Sequence, residues 1–598
     1  MIFFLANYFL LPFVILGYGF LSQNILLNKT SRLKDLGLIG FFGFLFIYFL
    51  GSLIHFFTNI NSLITYSILI VGFVFFIIFF IQKKIDKKQL IILLFVLMIF
   101  LPLSIIADPN EDFFLYYSPY IKYLESSKII FGVANLNDFL AYSTNSLYNI
   151  IIFLKLPLIE NLSYAVPILY FYVFFIIYLI DQLIKRQNIL YLFILSLSLI
   201  TFAKLRDLGT SAPPQLLLLI IGCLIYEILN NNYEERKITA ILFLSLFAII
   251  LRFNSVIILP IIIIFLIYNI RTLFLYINKN KIIILFLSFV LLIFISKNLI
   301  QSGCLVYPTP QLCFSNLDWS SENRIIESKY NKLQSDAKGW PFYAKEKFDI
   351  KKKFVWGNLK GKNFIGYNDY ADMSPFFWFQ YWIQDPQYKK IINLSLITLL
   401  IFILTIINLK KTQIKNQYYK KNFILLIFSF LCILLWFLLS PQLRYGGYFV
   451  FIYFFSLLFT NLFFIKFKNI KIANVVLILF FSLLYLEVKN ITRINHDLKT
   501  DNFYNFPWPN YIKLIVNEDY IKVEDRDLIF NKRIYSNNLL FNNSDEYILM
   551  CGNIDFPCIS EGKEVCLGDK EIRRSYKFFL KREDNENCIT FMDKNILY

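Results

Sequence analysis

Histidine is almost missing from this chain, whose 598 residues include only His55 and His496. A Ser-His-Asp triad or a multi-histidine metal centre would have to rely on His496 nearly alone, because His55 lies inside an apolar run. We therefore interpret both histidines as structural. Any acid–base chemistry must then be carried by carboxylates.

Three other common marks are also missing from the sequence. No two of the eight cysteines have the CxxC spacing, and no histidine accompanies them, so they do not indicate a zinc site. The first apolar run has neither a basic leader nor a small-residue cleavage pattern, and we expect it to be the first membrane span. We find no convincing internal repeat.

What the sequence has in abundance is apolar side chains. Hydrophobic residues make up 58% of the chain and aromatic residues 19%, with a mean hydropathy of +0.58. Such a chain is too apolar to form one soluble core, which indicates a polytopic membrane protein. The excess of Phe, Ile, Asn, Lys and Tyr is typical of an AT-rich genome, so the net charge of +18 is not read as nucleic-acid affinity.

The apolar runs predict an all-α transmembrane bundle, since a bilayer-spanning helix needs about 20 such residues. Fourteen spans are predicted, near residues 2–24, 36–57, 62–81, 90–107, 163–184, 188–203, 213–229, 238–251, 255–275, 282–299, 390–408, 422–439, 445–465 and 471–487. A shorter apolar piece at 147–158 contains Lys155 and Pro157. It favours a re-entrant or interfacial helix over a full span.

Lys and Arg residues in the connections predict the orientation, because they concentrate on the cytoplasmic side. Most lie in alternate loops, near residues 29–34, 83–88, 185–186, 236–237, 271–281, 410–421 and 466–471. Apart from two long segments, the opposite loops hold only Lys122, Lys128, Lys204, Arg206, Arg252 and Arg444. The sequence thus predicts a bacterial inner-membrane protein whose N-terminus, 108–146 loop, 300–388 loop and 488–598 tail lie outside.

Cysteine placement agrees with this orientation. The segments placed outside by charge contain Cys304, Cys313, Cys551, Cys558, Cys566 and Cys588. An even number there suits an oxidising compartment, and Cys304 with Cys313 is the favoured disulfide. The four late cysteines allow three pairings that the sequence does not rank. Cys223 and Cys432, inside predicted spans, are interpreted as apolar filling.

Three carboxylates directly follow the fourth predicted span, in the stretch Asp108-Pro-Asn-Glu111-Asp112. Charges where a helix leaves a membrane usually have a function or a partner. Asp112, Asp108 and Glu111 are therefore candidate catalytic residues. The alternative is a solvated loop whose carboxylates cap a helix or balance nearby lysines.

The residues after this acidic stretch predict a helix and then a polar strip. Ser118 as N-cap and Pro119 at the first helical position mark a helix that would lie along the membrane surface and end at Gly132. The strip is compatible with a sugar and consists of Asn135, Asn137, Asp138, Tyr142, Ser143, Thr144 and Asn145. Tyr117 and Asn135 are candidate substrate contacts.

Three arginines lie at predicted outer helix ends: Arg444 in Ser440-Pro-Gln-Leu-Arg444-Tyr445, Arg252 in Leu-Arg-Phe-Asn-Ser, and Arg206 beside Asp207. Arginine suits phosphate because its planar donors can bind two oxygens at once. All three are candidate phosphate ligands. The alternative for each is a side chain that extends to lipid headgroups.

The acidic stretch, continuing through Tyr117 to Glu125 with Gly132 and Asn135-Leu136 downstream, resembles the outer loop of GT-C membrane glycosyltransferases. In that family an acidic residue of an outer loop acts at a sugar transferred from a polyprenyl-phosphate carrier. The Arg444-Tyr445 pair is similar to one in enzymes that use lipid-phosphate sugars. The chain is also similar to uncharacterised bacterial membrane proteins with a stretch like residues 302–308 and a cysteine-containing tail. GT-C enzymes typically place the acidic loop after their first span, whereas here three more spans come first and the loop follows the fourth.

The resemblance implies extra helices over 1–89, a GT-C-like core over 90–487, and an extracytoplasmic domain over 488–598. Alternating runs at 546–550 and 576–580 predict strands in that last domain, braced by disulfides. The 300–388 segment carries five tryptophans, which suit sugar rings, a small core or a membrane-interface belt: Trp319, Trp340, Trp356, Trp378 and Trp382. For Trp378 and Trp382 the belt is favoured.

The function implied is sugar transfer from the carrier to an envelope glycan, lipid or protein acceptor. Asp112 or Asp108 would be the general base, and Arg444 and Arg252 would hold the departing phosphate. No cofactor is certain; a pyrophosphate carrier could recruit a divalent cation through Asp108 and Glu111. The alternatives are a transporter or flippase of envelope lipids, which the scarcity of ionisable residues in the spans disfavours, and a polysaccharide polymerase or ligase.

Overall fold

A computed structural model of the chain shows a bundle of helices up to residue 500. It describes residues 2–82, 85, 87–105, 117–136, 138–154, 165–186, 188–203, 210–230, 233–321, 323–347, 365–406, 419–463 and 472–500, and beyond these the backbone of seven short strands. Among the described helices, eleven are long and apolar enough to cross a membrane. Their length and composition indicate a polytopic membrane protein.

The helices are numbered in chain order. They are α1 (Ile2–Leu26), α2 (Leu36–Phe57), α3 (Ser62–Ile81), α4 (Lys87–Ser104), α5 (Ser118–Ser126), α6 (Val133–Leu136), α7 (Tyr148–Ile151), α8 (Ala165–Arg186), α9 (Ile189–Thr201), α10 (Ala212–Leu229), α11 (Glu235–Leu251), α12 (Leu259–Lys279), α13 (Lys281–Ser302), α14 (Asn323–Ala337), α15 (Trp340–Lys347), α16 (Tyr367–Ala371), α17 (Pro375–Trp382), α18 (Pro386–Ile406), α19 (Tyr419–Leu439), α20 (Gly447–Phe463) and α21 (Ile472–Thr500).

Each predicted span coincides with one of these helices. The spans predicted near 188–203, 238–251 and 445–465 correspond to the shorter helices α9, α11 and α20, which have 13, 17 and 17 residues. The other eleven correspond to the long apolar helices. Because three helices are short for a bilayer, the total of fourteen spans stays a prediction.

Helix α10 lies at the centre of the bundle, where it packs against α8, α11 and α20. All of its residues are buried, which explains why its sequence has no polar face. Helices α3, α18 and α21 are peripheral, with 28%, 22% and 22% of their span windows buried. The bundle is thus arranged around α10, whose first residue directly follows Thr210 and Ser211 of the cavity described below.

The helix predicted after the acidic stretch is present as α5, with two differences. Its N-cap is Tyr117 rather than Ser118, and it ends at Ser126, while Gly132 forms a separate left-handed turn with φ 66. The apolar face of the helix packs into the protein, and its position along a membrane surface stays a prediction. The buried residues of that face are Tyr120, Ile121, Tyr123 and Leu124.

The apolar piece predicted at 147–158 is a short internal segment. A 3-10 helix, Ser143–Leu147, continues into the single turn of α7, which contacts α2. All side chains from 147 to 154 are buried. The described apolar residues thus pack against protein and do not form a full span, while the re-entrant or interfacial interpretation stays a prediction. Lys155 and Pro157 lie outside the described residues.

Cys304 and Cys313 form a disulfide, as predicted. The pair follows α13 directly, after Gly303 in a left-handed C-cap with φ 76. A hydrogen bond of 2.9 Å from Gly132 N to Ile300 O ties the α5–α6 region to the same end of α13. We call this end of the bundle the disulfide end.

The tryptophans predicted to form an interface belt are internal instead. Trp378 and Trp382 are 1% and 5% exposed. The Trp382 ring packs against Trp436, with 6.2 Å between ring centroids, and its indole N–H donates to Pro441 O. They are therefore core residues. Trp319 and Trp340 donate hydrogen bonds to backbone carbonyls, and Trp356 lies outside the described residues.

Beyond α21, backbone is described for the strands β1 (Tyr504–Asn505), β2 (Trp508–Pro509), β3 (Tyr520–Asp525), β4 (Leu528–Ser536), β5 (Tyr547–Leu549), β6 (Glu564–Cys566) and β7 (Cys588–Thr590). They pair as β1-β2, β3-β4-β5 and β6-β7, all antiparallel. Strand β5 lies in the run predicted at 546–550, and the run at 576–580 lies outside the described residues. The register places Cys566 opposite Cys588. The cysteine side chains of the tail are outside the description, so their pairing stays a prediction.

Candidate functional site

A cavity of about 400 Å³ opens at the disulfide end, where helix ends and loops from distant parts of the chain meet. This volume lies within the range of small-molecule sites. Its wall is formed by Tyr117, Phe139, Tyr142, Ser143, Thr144, Thr210, Ser211, Arg252, Phe253, Asn254, Val306, Tyr307, Pro308, Thr309, Tyr330, Leu333, Gln334, Ser440, Arg444 and Tyr445.

Arg252 reaches this cavity from the end of α11. It follows the helix in an extended conformation, with φ −162 and ψ 120, and the 3-10 helix Phe253–Ile258 begins directly after it. Its guanidinium carbon lies 4.6 Å from the centroid of the Tyr445 ring. The side chain is half-buried and turned to the cavity wall, whereas a side chain that served lipid headgroups would extend away from it.

Arg444 contacts the same ring, which belongs to its neighbour in the sequence. It belongs to the 3-10 helix Leu443–Tyr445, which precedes α20. Its guanidinium carbon lies 4.9 Å from the Tyr445 centroid, and its Nε donates to Gln442 Oε1 at 2.6 Å. Two arginines almost two hundred positions apart thus contact one aromatic ring. Such cation–π contacts hold a guanidinium group against the face of an aromatic ring.

Gly446 explains how closely the two arginine-bearing segments approach. Its φ is 110, which an L side chain rarely adopts. A Cβ at this position would lie 2.1 Å from Ile257 Cδ1, in the 3-10 helix that follows Arg252. Glycine therefore allows both the turn after Tyr445 and its packing against the Arg252 segment.

A set of side-chain amides fixes the backbone around Arg444. Gln442 Nε2 donates to Asp336 O at 3.0 Å, and Leu443 N donates to Gln387 Oε1 at 2.8 Å. Gln215 of α10 donates to Arg444 O at 3.3 Å and accepts from Phe449 N at 3.1 Å. Because Gln215 and Gln442 are buried, these bonds fix the backbone that carries the exposed Arg444 side chain.

Tyrosines form much of the remaining wall. The rings of Tyr142 and Tyr307 lie with centroids 5.7 Å apart. Burial raises the pKa of both hydroxyls well above the usual value, and the nearby Asp138 adds to the effect. Both tyrosines therefore stay protonated at physiological pH and keep a hydroxyl that can donate.

Helix α14 covers one side of the cavity with Tyr330, Leu333 and Gln334. Lys329 in the same helix pairs with the buried Asp138 at 2.8 Å. Two residues after Gln334, burial raises the pKa of Asp336, and the positive charges of Lys332 and Arg444 oppose this shift. The helix is thus joined to the wall by an ion pair at Asp138 and by the Gln442 bond to Asp336.

The wall combines two guanidinium groups, several hydroxyls and aromatic faces. Among its described residues there is no carboxylate. Guanidinium groups bind phosphate through paired charge-assisted hydrogen bonds, and aromatic faces with hydroxyls suit the two sides of a sugar ring. The arrangement can therefore hold an anion that carries a polar ring.

The structure brings some of the predicted site residues together. Arg252, Arg444 and Tyr117 line the one cavity, as do Tyr142, Ser143 and Thr144 of the predicted polar strip. Asp108, Glu111, Asp112 and Arg206 lie outside the described residues, so their roles stay predictions. Asn135 lies in α6, but its side chain is also outside the description.

The sequence reading missed the contribution of α14 and gave Tyr445 and Tyr307 no separate role. Tyr445 follows Arg444 directly, and Tyr307 lies between the disulfide cysteines, so both were within motifs already noted. Tyr330 and Gln334 carry no such signal, because nothing in a polar amphipathic helix tells which turn faces a cavity.

One family model matches the part of the chain that contains this whole wall. Residues 1–451 match the family model DUF8201, a domain of unknown function. The chain belongs to the DUF8201 family. No curated protein and no solved structure matches it. All residues of the cavity wall fall within the matched range, whereas α21 and the strands of the tail follow it.

Potential metal ligands are dispersed in the described part of this DUF8201 protein. Across the residues that the structure describes, no group of three or more His, Cys, Asp and Glu side chains could hold an ion. The carboxylates predicted to recruit a divalent cation, Asp108 and Glu111, are outside that part of the chain. A cation at the acidic stretch therefore stays a prediction.

A buried lysine near the disulfide end was not noted from the sequence. Lys297 in α13 is 3% exposed, and its ammonium donates to Tyr120 Oη at 2.6 Å. His55, interpreted above as structural, is buried close by, with Nε2 3.1 Å from Ser127 O. A lysine near the end of an apolar helix is expected to extend its ammonium group to the lipid headgroups, so the sequence did not predict that Lys297 is buried.

Proposed function

We propose that this DUF8201 protein is a membrane glycosyltransferase that moves a sugar from a polyprenyl-phosphate carrier to an envelope glycan, lipid or protein acceptor. The observation that carries the proposal is the meeting of Arg252 and Arg444 on the Tyr445 ring, in the wall of one cavity at the end of apolar helices. A lipid-linked phosphate presents its charge at this depth, where a membrane helix ends.

The disulfide end is the outer face of the inner membrane in this proposal. Disulfides persist in oxidising compartments, and the Lys-rich loops belong to the opposite ends of the helices. The cavity then opens where an exported lipid carrier displays its sugar phosphate. The polyprenyl chain would remain in the bilayer beside the bundle.

In the reaction, an acceptor hydroxyl attacks the anomeric carbon of the carrier-bound sugar. Its proton passes to the carboxylate of Asp112, or of Asp108, which acts as general base. The bond between the anomeric carbon and the phosphate oxygen breaks, and the electron pair leaves with the phosphate. Arg252 and Arg444 stabilise the negative charge that grows on that phosphate, and the sugar inverts its configuration.

The tyrosines and hydroxyls of the wall would hold the sugar. Tyr117, Tyr142 and Tyr307 offer ring faces, and the protonated hydroxyls of Tyr142 and Tyr307 can donate to sugar oxygens. A monophosphate carrier can be served by the two arginines alone. A pyrophosphate carrier would need further positive charge, for which Asp108 and Glu111 could recruit a divalent cation.

The proposal is tested by sugar transfer in membranes supplied with a labelled polyprenyl-phosphate sugar. Arg252→Met and Arg444→Met should each lower transfer by about 10- to 100-fold, the effect of losing a hydrogen bond to a charged group. Asp112→Asn or Asp108→Asn should abolish it. Arg271→Met is the matched control, since Arg271 is an exposed arginine of α12 outside the cavity wall.

Two outcomes would change the assignment. Transfer that survives both arginine substitutions would refute the proposal. Transfer that needs the arginines but survives both aspartate substitutions would indicate a polysaccharide polymerase or ligase instead. The burial of Lys297 within α13 is an observation that favours a transporter or flippase, because ionisable residues inside membrane helices often mark a transport path. Loss of lipid translocation in Lys297→Met, with no transfer activity in the wild type, would support that alternative.

A further inference from the structure

Helix α14 turns three neighbouring side chains to the cavity that contains Arg252 and Arg444. They are Tyr330, Leu333 and Gln334, which lie three and four positions apart and so share one side of the helix. Tyr330 and Gln334 are half-buried. Neither the Tyr330 hydroxyl nor the Gln334 side-chain amide has a hydrogen-bond partner among the described residues. Both polar groups are therefore available to a ligand in the cavity.

The other side of α14 fixes the rotation of the helix. Ser328 Oγ lies 2.9 Å from Tyr367 Oη, and Ser335 Oγ donates to Tyr367 O. Ser328 and Ser335 are two helical turns apart, so they share a side that lies almost opposite Tyr330 and Gln334. The helix therefore keeps its Tyr330 side towards the cavity as long as these contacts to α16 are made.

The last turn of α14 is joined to Arg444 through a single side chain. Gln442 is 5% exposed; its Nε2 donates to Asp336 O at 3.0 Å, and its Oε1 accepts from Arg444 Nε at 2.6 Å. Gln334 precedes Asp336 by two residues. The anion-binding part of the wall and the α14 part are thus held beside each other, and a group attached to an anion at Arg444 can reach α14.

The α14 part of the wall is uncharged. Among the described wall residues, only Arg252 and Arg444 carry a charge. The charged residues next to the cavity-facing side chains of α14 do not line the cavity, and Lys329 among them pairs with Asp138 at 2.8 Å. This part of the wall therefore suits a polar group without a charge of its own.

We infer that Tyr330 and Gln334 are specificity-determining residues, which bind an uncharged sugar ring attached to the phosphate that Arg252 and Arg444 hold. Gln334 can donate to and accept from ring hydroxyls, and Tyr330 offers a hydroxyl and an aromatic face. Residues one turn apart have Cβ atoms about 5–6 Å from each other, so both can contact one ring. The inference rests on the proposed function for the phosphate-bearing ligand, but the ring preference comes from α14 and is tested separately.

The experiment measures binding to the detergent-purified, full-length protein and does not need the transfer reaction. Two probes are phosphodiesters of equal charge with the same citronellyl chain, one carrying a hexose and the other a methyl group in its place. The hexose is glucose, galactose, mannose or N-acetylglucosamine, and the tightest binder is used for the variants. The wild type should bind this hexosyl probe at least about tenfold more tightly than the methyl probe, through the added hydrogen bonds.

Variants of α14 should change this preference selectively. Gln334→Leu and Tyr330→Phe should each weaken binding of the hexosyl probe by about 3- to 10-fold, the effect of losing one neutral hydrogen bond, and leave the methyl probe unchanged. Arg444→Met should weaken both probes by the same factor. Asn331→Leu is the matched control, because Asn331 is an amide of the same helix that lies outside the cavity wall and donates to Asn368 Oδ1 at 3.5 Å. It should change neither affinity.

Equal wild-type affinity for the two probes would overturn the inference. So would a hexosyl preference that survives both α14 substitutions, or an equal loss of both probes in Gln334→Leu. A wild type that binds neither probe would overturn the inference and the proposed function together. If the preference depends on Tyr330 and Gln334 as expected but the wild type transfers no sugar, the ring-binding role stands and the proposed function falls.

Discussion

Replacement of Gly446 by alanine tests the packing that brings the two arginines together. The new Cβ would lie 2.1 Å from Ile257 Cδ1, and the next atom of that side chain, Cγ1, lies 3.5 Å away. Valine at position 257 lacks the Cδ1 atom. Ile257→Val therefore removes the clash and leaves only the strain of the backbone, whose φ is 110.

The magnitudes follow from these two separable effects. A non-glycine residue in the left-handed region costs about 1–2 kcal/mol, and overpacking a buried site adds about 1–3 kcal/mol. Ile257→Val alone costs about 0.5–1.5 kcal/mol through the methyl group that it deletes. In the double variant the overpacking is absent, so the two changes should be less damaging together than their sum by about 1–3 kcal/mol.

The assay is the midpoint of thermal inactivation of detergent-purified protein, compared across the cycle at one heating rate. The double variant should be more stable than Gly446→Ala alone. Gly366→Ala is the matched control, because a Cβ at Gly366 meets nothing within 4 Å. The reasoning is refuted if Gly446→Ala is no less stable than Gly366→Ala, or if Ile257→Val makes Gly446→Ala worse by its full separate effect.

Two further predictions concern buried charges near the disulfide end. Lys329→Met should lower the same inactivation midpoint, because it removes the positive charge that lies 2.8 Å from the buried carboxylate of Asp138. Adding Asp138→Asn should recover part of the loss, since the buried group is then neutral. A double variant less stable than Lys329→Met would contradict this. Lys297→Met should leave the midpoint unchanged or raise it, because methionine fills a similar volume without a charge to bury. Tyr120→Phe should instead lower the midpoint, because it removes the oxygen that accepts from Lys297 Nζ at 2.6 Å. A strongly destabilised Lys297→Met protein would show that the buried ammonium supports the fold.

Helix positions were predictable because a membrane helix must be continuously apolar over its length, whatever it packs against. The runs at 36–57 and 62–81 correspond residue for residue to α2 and α3. The pairing of Cys304 with Cys313 was predictable for a similar reason, since two cysteines close in sequence in an outer segment have few other partners. Such local signals do not depend on the rest of the fold.

Burial was predicted less well, because composition alone does not tell lipid from protein. Both surround a helix with apolar atoms, so Trp382 and the apolar face of α5 could be assigned to a membrane surface from the sequence. In the structure Trp382 donates to Pro441 O and packs beside Trp436, in support of the loop that holds Arg444. Tryptophan can serve either in a membrane-interface belt or in the core beside a loop, and the sequence does not distinguish the two.

The candidate site shows the same division. The sequence identified Arg252 and Arg444 separately, each as an arginine at a helix end with a lipid-headgroup alternative. It also supplied the polar strip from which Tyr142, Ser143 and Thr144 line the cavity. It could not pair the two arginines, because nothing local relates the end of α11 to the turn before α20.

By itself, the sequence determined that this is a membrane protein of many helices, where those helices lie, and which side chains near their ends can bind an anion. These are properties of short segments, set by hydrophobicity, helix geometry and side-chain chemistry. Only the tertiary structure decided that Arg252 and Arg444 contact the Tyr445 ring and that α14 covers their cavity. Those facts depend on long-range packing around Gly446 and Gln215, and no local pattern encodes contacts between residues so distant along the chain.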